Sequence, residues 1–182
     1  MECCDLFINF LKGNASLDYD NFKCLIIEYF SKYINELYKK YNCKFMIAGD
    51  ISSAGICYGT GKIIINEEEV RKIYNGNISP LLTIFHEISH LQQNIQIEEG
   101  VVSKNIINYI KDKFLKFYQN EQNKKFGMPS NFSYYILNYE YESCEVDASL
   151  NSILLFFNFC LINEIELSEQ IYQKLETDFD KL

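Results

Sequence analysis

Both histidines of the chain fall in one short stretch, His86-Glu87-Ile88-Ser89-His90. H-E-x-x-H is the pattern of zinc hydrolases. On an α-helix, which turns 100° per residue, positions 86 and 90 lie about 40° apart on one face, one turn above the other. Two imidazoles placed in this way can reach a single tetrahedral ion, while Glu87 lies beside the ion. Zinc held by two histidines and one carboxylate keeps its fourth position for water, and the pKa of that water falls towards about 7. A glutamate within hydrogen-bonding reach can take the water's proton and later hand it to a leaving amine.

A third protein ligand is needed. With no other histidine in the chain, a carboxylate from a later helix is the natural source. The segment Tyr139-Glu140-Tyr141-Glu142-Ser143-Cys144-Glu145-Val146-Asp147-Ala148-Ser149 offers four. Counted from Glu145, Ser149 lies at about 40° and Glu142 at about 60°, so these three share a face. Glu140 and Asp147, at about 220° and 200°, share the other and read as a solvated or salt-bridged pair. Helical angles alone leave both Glu142 and Glu145 open as the ligand.

His86-Glu87-x-x-His90, followed on a later helix by Glu145-Val146-Asp147-Ala148-Ser149, resembles the gluzincin pattern of zinc metallopeptidases: H-E-x-x-H, then E-x-x-[AS]-[DN]. It is most similar to the small intracellular peptidases of the ImmA/IrrE-like kind, over roughly residues 40–160 in element order and over the two short motifs in detail. The resemblance implies a zincin-like fold, with His86, His90 and Glu145 as zinc ligands and Glu87 as the catalytic base. Ala148 would be the small residue that lets two helices approach. Ser149 departs from the pattern, because it stands where Asp or Asn usually orients a ligating histidine, and a hydroxyl accepts more weakly than a carboxylate. The resemblance also implies limited, regulatory proteolysis of a repressor or partner protein.

The motif helix begins at Ser79-Pro80, read as N-cap and first helical residue. Leu81, Ile84, Phe85, Ile88, Leu91 and Ile95 form an apolar stripe on it, and Thr83, His86, Glu87, His90 and Asn94 a polar one opposite. Before it, the spacing predicts a helix over 17–41, a strand over 43–49, and turns with a hairpin-like connection over Gly49 to Gly61. A strand Lys62–Asn66 and a helix Glu67–Tyr74 follow. After it come helices over about 101–120, 133–158 and 166–179. The Lys62–Asn66 strand could hold an extended peptide at a sheet edge, with the Gly-rich turn near the cleft. Gly59-Thr60-Gly61-Lys62 fails as a phosphate loop and reads as a tight turn. Peptide deformylases pair H-E-x-x-H with an upstream cysteine; Cys57 is upstream but lacks their surroundings. Tyr58, Tyr135, Tyr139 and Tyr141 are the candidates for stabilising an oxyanion.

The chain of 182 residues, with 48% hydrophobic and 15% aromatic content, suits a single globular domain over 1–182. A net charge of −8 argues against nucleic acid as a partner. No apolar run approaches the roughly 18 residues of a membrane span, and the start Met1-Glu2-Cys3-Cys4-Asp5 does not resemble a secretory signal. Seven cysteines without a C-x-x-C pair favour reduced thiols and a cytoplasmic location. Cys24, Cys144 and Cys160 read as buried small hydrophobes. The expectation is an α+β fold, mostly helical, with a small sheet against the motif helix, acting as a zinc metallopeptidase on a peptide or protein. The alternatives are a non-catalytic zinc-binding interaction module and a zinc amidohydrolase acting on a small amide.

Overall fold

A computed structural model describes residues 3–100, 132–169 and 171–173; in the helix that begins at Phe132, side chains are described at Glu145 and from Asp147 onward. The elements are α1 (Cys3–Leu11), α2 (Tyr19–Leu37), β1 (Lys44–Ala48), β2 (Gly55–Tyr58), β3 (Lys62–Asn66), α3 (Glu67–Tyr74), α4 (Leu81–Glu98) and α5 (Phe132–Ile162). The fold is α+β, helix-dominated, with one three-stranded sheet ordered β1-β3-β2. Among the described residues, no helix is long and apolar enough to cross a membrane.

Each boundary has a local cause. The Asp18 side chain accepts the Asn21 N–H at 2.8 Å and starts α2. Asn66 does the same for α3 through the Glu68 N–H at 2.9 Å. The motif helix starts differently from expectation. Ser79 supplies no side-chain cap, and Pro80, with φ −67° and ψ −9°, sits just before the first helical residue, Leu81. Asn77 instead accepts the Ser79 N–H at 3.0 Å, and the Ser79 and Pro80 carbonyls accept from Leu82 and Thr83 at 3.0 Å.

Helix α1 lies outside the sequence expectation, whose first helix starts at residue 17. It is too short for a clear period, and it is held by Phe7, which is fully buried and packs on Phe22, Tyr29 and Phe30 of α2. The expected helix over 101–120 lies outside the described residues. That over 166–179 is described only to residue 173, with 169 and 171–173 helical. Cys160 is buried as expected, whereas Cys24 is exposed on α2.

Strand β3 is central. It pairs in parallel with β1, from Lys44 opposite Lys62 to Ala48 opposite Asn66, and antiparallel with β2, from Gly55 opposite Ile65 to Tyr58 opposite Lys62. Lys62–Asn66 therefore cannot offer a free edge, contrary to the sequence expectation. Its Ile63-Ile64-Ile65 run suits an interior strand, and Ile63 and Ile65 are fully buried. The outer strands are β1 and β2, and the one beside α4 is β2, which the sequence hides within a Gly- and Ser-rich stretch.

The core joins α1, α2, the sheet and α4 through aromatic rings. Phe30 stacks on Phe45 of β1 at 5.3 Å and meets Phe85 of α4 edge-on at 5.9 Å. Phe85 also meets Phe159 of α5 at 5.5 Å. The residue immediately before His86 is thus fixed on two sides.

Candidate metal centre

Leu81, Ile84, Phe85, Ile88, Leu91 and Ile95 of α4 are buried. Once that stripe faces the core, helical geometry fixes the direction of His86 and His90. Both turn towards α5, where Glu145 meets them.

The donor atoms converge. His86 Nε2 lies 2.8 Å from Glu145 Oε2, His90 Nε2 lies 3.1 Å from Glu145 Oε1, and the two Nε2 atoms are 3.0 Å apart. The rings are nearly perpendicular, at 86°. A tetrahedral ion with bonds of about 2.0–2.1 Å needs ligand atoms about 3.3 Å apart. Each imidazole Nε2 meets a different Glu145 oxygen, and all three contacts are a few tenths of an ångström shorter than that spacing. Among the described residues, this trio is the group of His, Cys, Asp and Glu side chains placed to share a metal ion. Burial, and secondarily the neighbouring His90, holds the His86 pKa below its ordinary value, with Glu145 opposing. That favours the neutral imidazole, the form that ligates.

Glu87 takes a third direction. The polar stripe does not face solvent: Glu87 is only 7% exposed and lies against β2. Burial pushes its carboxyl up to about 7; His90 and the Cys57 backbone N–H oppose that rise, and Glu145 adds to it. The close approach requires Gly55. A Cβ there would stand 2.8 Å from Glu87 Cγ and 3.0 Å from Oε1. The Gly-rich segment borders the site, as expected, through β2. Because the Asn66 N–H donates to the Ala54 carbonyl at 2.9 Å, alternation turns the backbone groups of Gly55 and Cys57 away from β3, towards the outer side of β2. Asn94, one turn beyond His90, donates to the Gly59 carbonyl at 3.2 Å and fastens α4 to the turn after β2.

Polar contacts also fill the space behind the imidazoles. His90 Nδ1 lies 2.9 Å from Gln93 Oε1, and Gln93 Nε2 donates to Asp147 Oδ2 at 2.7 Å. His86 Nδ1 lies 3.4 Å from Ser149 Oγ, a long contact on the residue expected to stand behind it. Ala148 is fully buried, the small residue at the α4–α5 approach. Nearby, Asn151 donates to Ser89 Oγ at 3.2 Å and to Gln92 Oε1 at 3.1 Å.

Gln93 and Gly55 are absent from the sequence reading. Gln93 stands three residues after His90, a spacing at which helical side chains meet, and Gly55 shows only as one of several loop glycines. Asp147 is exposed, as expected, and it is bonded to the histidine network through Gln93. Cys57 stands outside the ligand group. Its thiol meets the Gly59 carbonyl at 3.4 Å, and burial, then Glu87, push it up to about 12. Tyr58 is exposed, with the Lys62 ammonium 4.9 Å from its ring centre. The side chains of Glu140, Glu142, Tyr135, Tyr139 and Tyr141 lie outside the described residues. Comparison of the chain with protein-family models, with curated proteins and with solved structures returned no match.

Proposed function

We propose that this chain is a zinc-dependent metallopeptidase of zincin-like fold, with His86, His90 and Glu145 as ligands and Glu87 as general base and acid. The observation that carries the reading is the ligand triangle. Three side chains on two helices, more than fifty residues apart in sequence, converge: each histidine Nε2 stands 2.8–3.1 Å from one of the two Glu145 oxygens, and the two Nε2 atoms are 3.0 Å apart. Two nitrogens and one oxygen form the donor set of catalytic zinc sites, which keep an open position.

Bound zinc supplies Lewis-acid activation of a water and of the scissile carbonyl. The remaining work falls to the chain. Glu87, held between α4 and β2, accepts the proton of the attacking water and returns it to the departing amine. The Cys57 N–H fixes one face of that carboxylate. Gly55 keeps the backbone close enough to shield it from solvent, while the histidines and Glu145 orient the reacting groups beside it.

The position of β2 as an outer strand among the described residues favours a peptide over a small amide as substrate. An extended chain can lie alongside an exposed strand and bond to its outward backbone groups. On this reading the edge strand is β2; at its outward residues the Gly55 carbonyl already accepts from Ser53 Oγ at 2.8 Å and the Cys57 N–H already donates to Glu87, so the Gly55 N–H and the Cys57 carbonyl are the groups offered to a substrate. Retention of Glu87 favours an enzyme over a non-catalytic module, since holding a metal structurally does not require it.

The test uses purified protein given zinc. Wild type binds one equivalent by elemental analysis, and Glu145→Ala loses it. Glu87→Gln keeps the metal while cleavage of an unstructured protein substrate falls by about 10²–10⁴-fold. A wild type that holds no zinc removes the reading. Metal lost in Glu142→Ala and kept in Glu145→Ala moves the third ligand to Glu142.

A further inference from the structure

We infer that Gln93 and Asp147 form a two-residue relay that sets which nitrogen of His90 faces the metal; the inference rests on the proposed metal site. The argument runs from the carboxylate outwards. An ionised carboxylate only accepts hydrogen bonds, so the Gln93 atom 2.7 Å from Asp147 Oδ2 is the amide NH2. The Gln93 oxygen must then face His90 Nδ1, at 2.9 Å. An amide oxygen only accepts, so Nδ1 carries a proton, and in the neutral ring Nε2 carries the lone pair. Nε2 is the atom that points at Glu145 and His86. One surface carboxylate thereby dictates the tautomer of a ligand it does not touch.

The relay performs two tasks. Donation into a polarised amide raises the basicity of the imidazole, as partners behind ligating histidines do. Because Gln93 belongs to α4 and Asp147 to α5, the same bond also sets the distance between the helix that carries both histidines and the helix that carries Glu145. Ser149 performs neither task at His86. Its contact is long, at 3.4 Å, and a hydroxyl that can donate or accept selects no tautomer. Gln93 and Asp147 are positioning residues, and His90 is the better-held ligand.

The test measures zinc affinity by competition with a chromophoric chelator and the protonation of His90 Nδ1 by imidazole 15N spectra. Gln93→Ala weakens zinc binding by about 10–100-fold, the usual cost of removing a partner behind a ligand. Asp147→Asn weakens it by about threefold in the wild-type background and leaves it unchanged in Gln93→Ala, because Asp147 acts only through Gln93. The swap Gln93→Glu with Asp147→Asn keeps an acceptor facing His90 Nδ1 and reverses the direction of the bond between the two helices, and it binds zinc within about threefold of wild type. His90 Nδ1 gives a protonated, pyrrole-type signal with and without zinc. Zinc affinity of Gln93→Ala within twofold of wild type overturns the inference, and so does an equal effect of Asp147→Asn in both backgrounds. If wild type binds no zinc, the metal reading falls, and the spectrum decides the relay alone: an unprotonated Nδ1 sinks it.

Discussion

The two faces of α4 are built on opposite principles. One face carries Ile84, Phe85, Ile88 and Leu91, all at most 1% exposed, and meets aromatic rings from α2 and α5. The other carries His86, Glu87, His90 and Gln93, and meets Glu145 and Asp147 of α5 and the edge strand β2. Three polar residues are buried among the described residues, and all lie on these two helices: Glu87, Ser89 and Ser152. No buried side-chain nitrogen or oxygen among the described residues lacks a hydrogen-bond partner. The apolar face holds the helix in place by area removed from water. The polar face uses that anchorage to keep two imidazoles and two carboxylates closer together than their solvation alone would favour. Stability and chemistry are thus separable within one helix.

The sharpest way to break this separation is Phe85→Ala. The ring is fully buried and meets rings on α2 and α5, so its loss should cost about 3–5 kcal/mol in denaturant unfolding. Zinc affinity of the fraction still folded should change little. A fall in affinity as large as that of a ligand variant would show that the core also shapes the ligand triangle.

Glu145→Ala is the converse. Zinc at 100-fold its dissociation constant stabilises a folded chain by about 2.7 kcal/mol, and this variant should lose that increment. Metal-free stability should stay within about 0.5 kcal/mol of wild type, since no core packing is removed. Thermal melts with zinc and with a chelator read both quantities. A metal-free protein destabilised by several kcal/mol would mean that Glu145 holds α5 to α4 rather than serving an ion.

This division explains what could be read from the sequence. The apolar stripe of α4 and the period of α2 are long, regular patterns, and both helices lie where the spacing predicts. The 3.6-residue period places His86 beside His90 and Glu145 beside Ser149, while the choice of Glu145 over Glu142 came from the motif resemblance and not from the angles. What was illegible depends on contacts between elements. Four residues of β2 carry no period of their own, and the strand exists because the backbone groups of Lys62, Ile64 and Asn66 of β3 need partners on that side. Placing the edge on β3 followed from reading one strand where the chain forms two. Gln93 and Asp147 belong to the same class: their pairing follows from the approach of α4 to α5, which no stretch of either helix encodes alone. Ser79 shows the limit of local rules, since a serine before a proline is a good cap on paper, while Asn77 holds the turn instead.

On the sheet side of the polar face, Gly55→Ala should give a smaller effect of a different kind. The added Cβ would lie 2.8 Å from Glu87 Cγ and 3.1 Å from Ile65 Cδ1, so strand or side chain must move. Overpacking of this size costs about 1–3 kcal/mol. Because Glu87 bears the contact, cleavage should fall well beyond what the unfolded fraction explains, with zinc affinity nearly unchanged. Loss of stability with full activity per folded molecule would remove Gly55 from the account of the site.

Asn66→Ala is the mildest test and bears on both faces. Its Oδ1 caps α3, and its Nδ2 donates to the Ile51 carbonyl at 3.0 Å and the Ser53 carbonyl at 3.4 Å, in the loop that leads into β2. Loss of the cap should cost about 1 kcal/mol. Loss of the two loop bonds should loosen the approach to Gly55, seen as faster amide exchange in β2 than in β1. If stability falls while β2 exchange is unchanged, Asn66 is a helix cap alone. If both change, one asparagine at the end of the central strand supports the stable side of the molecule and the strand that shields Glu87, and the two faces of α4 are coupled through the sheet.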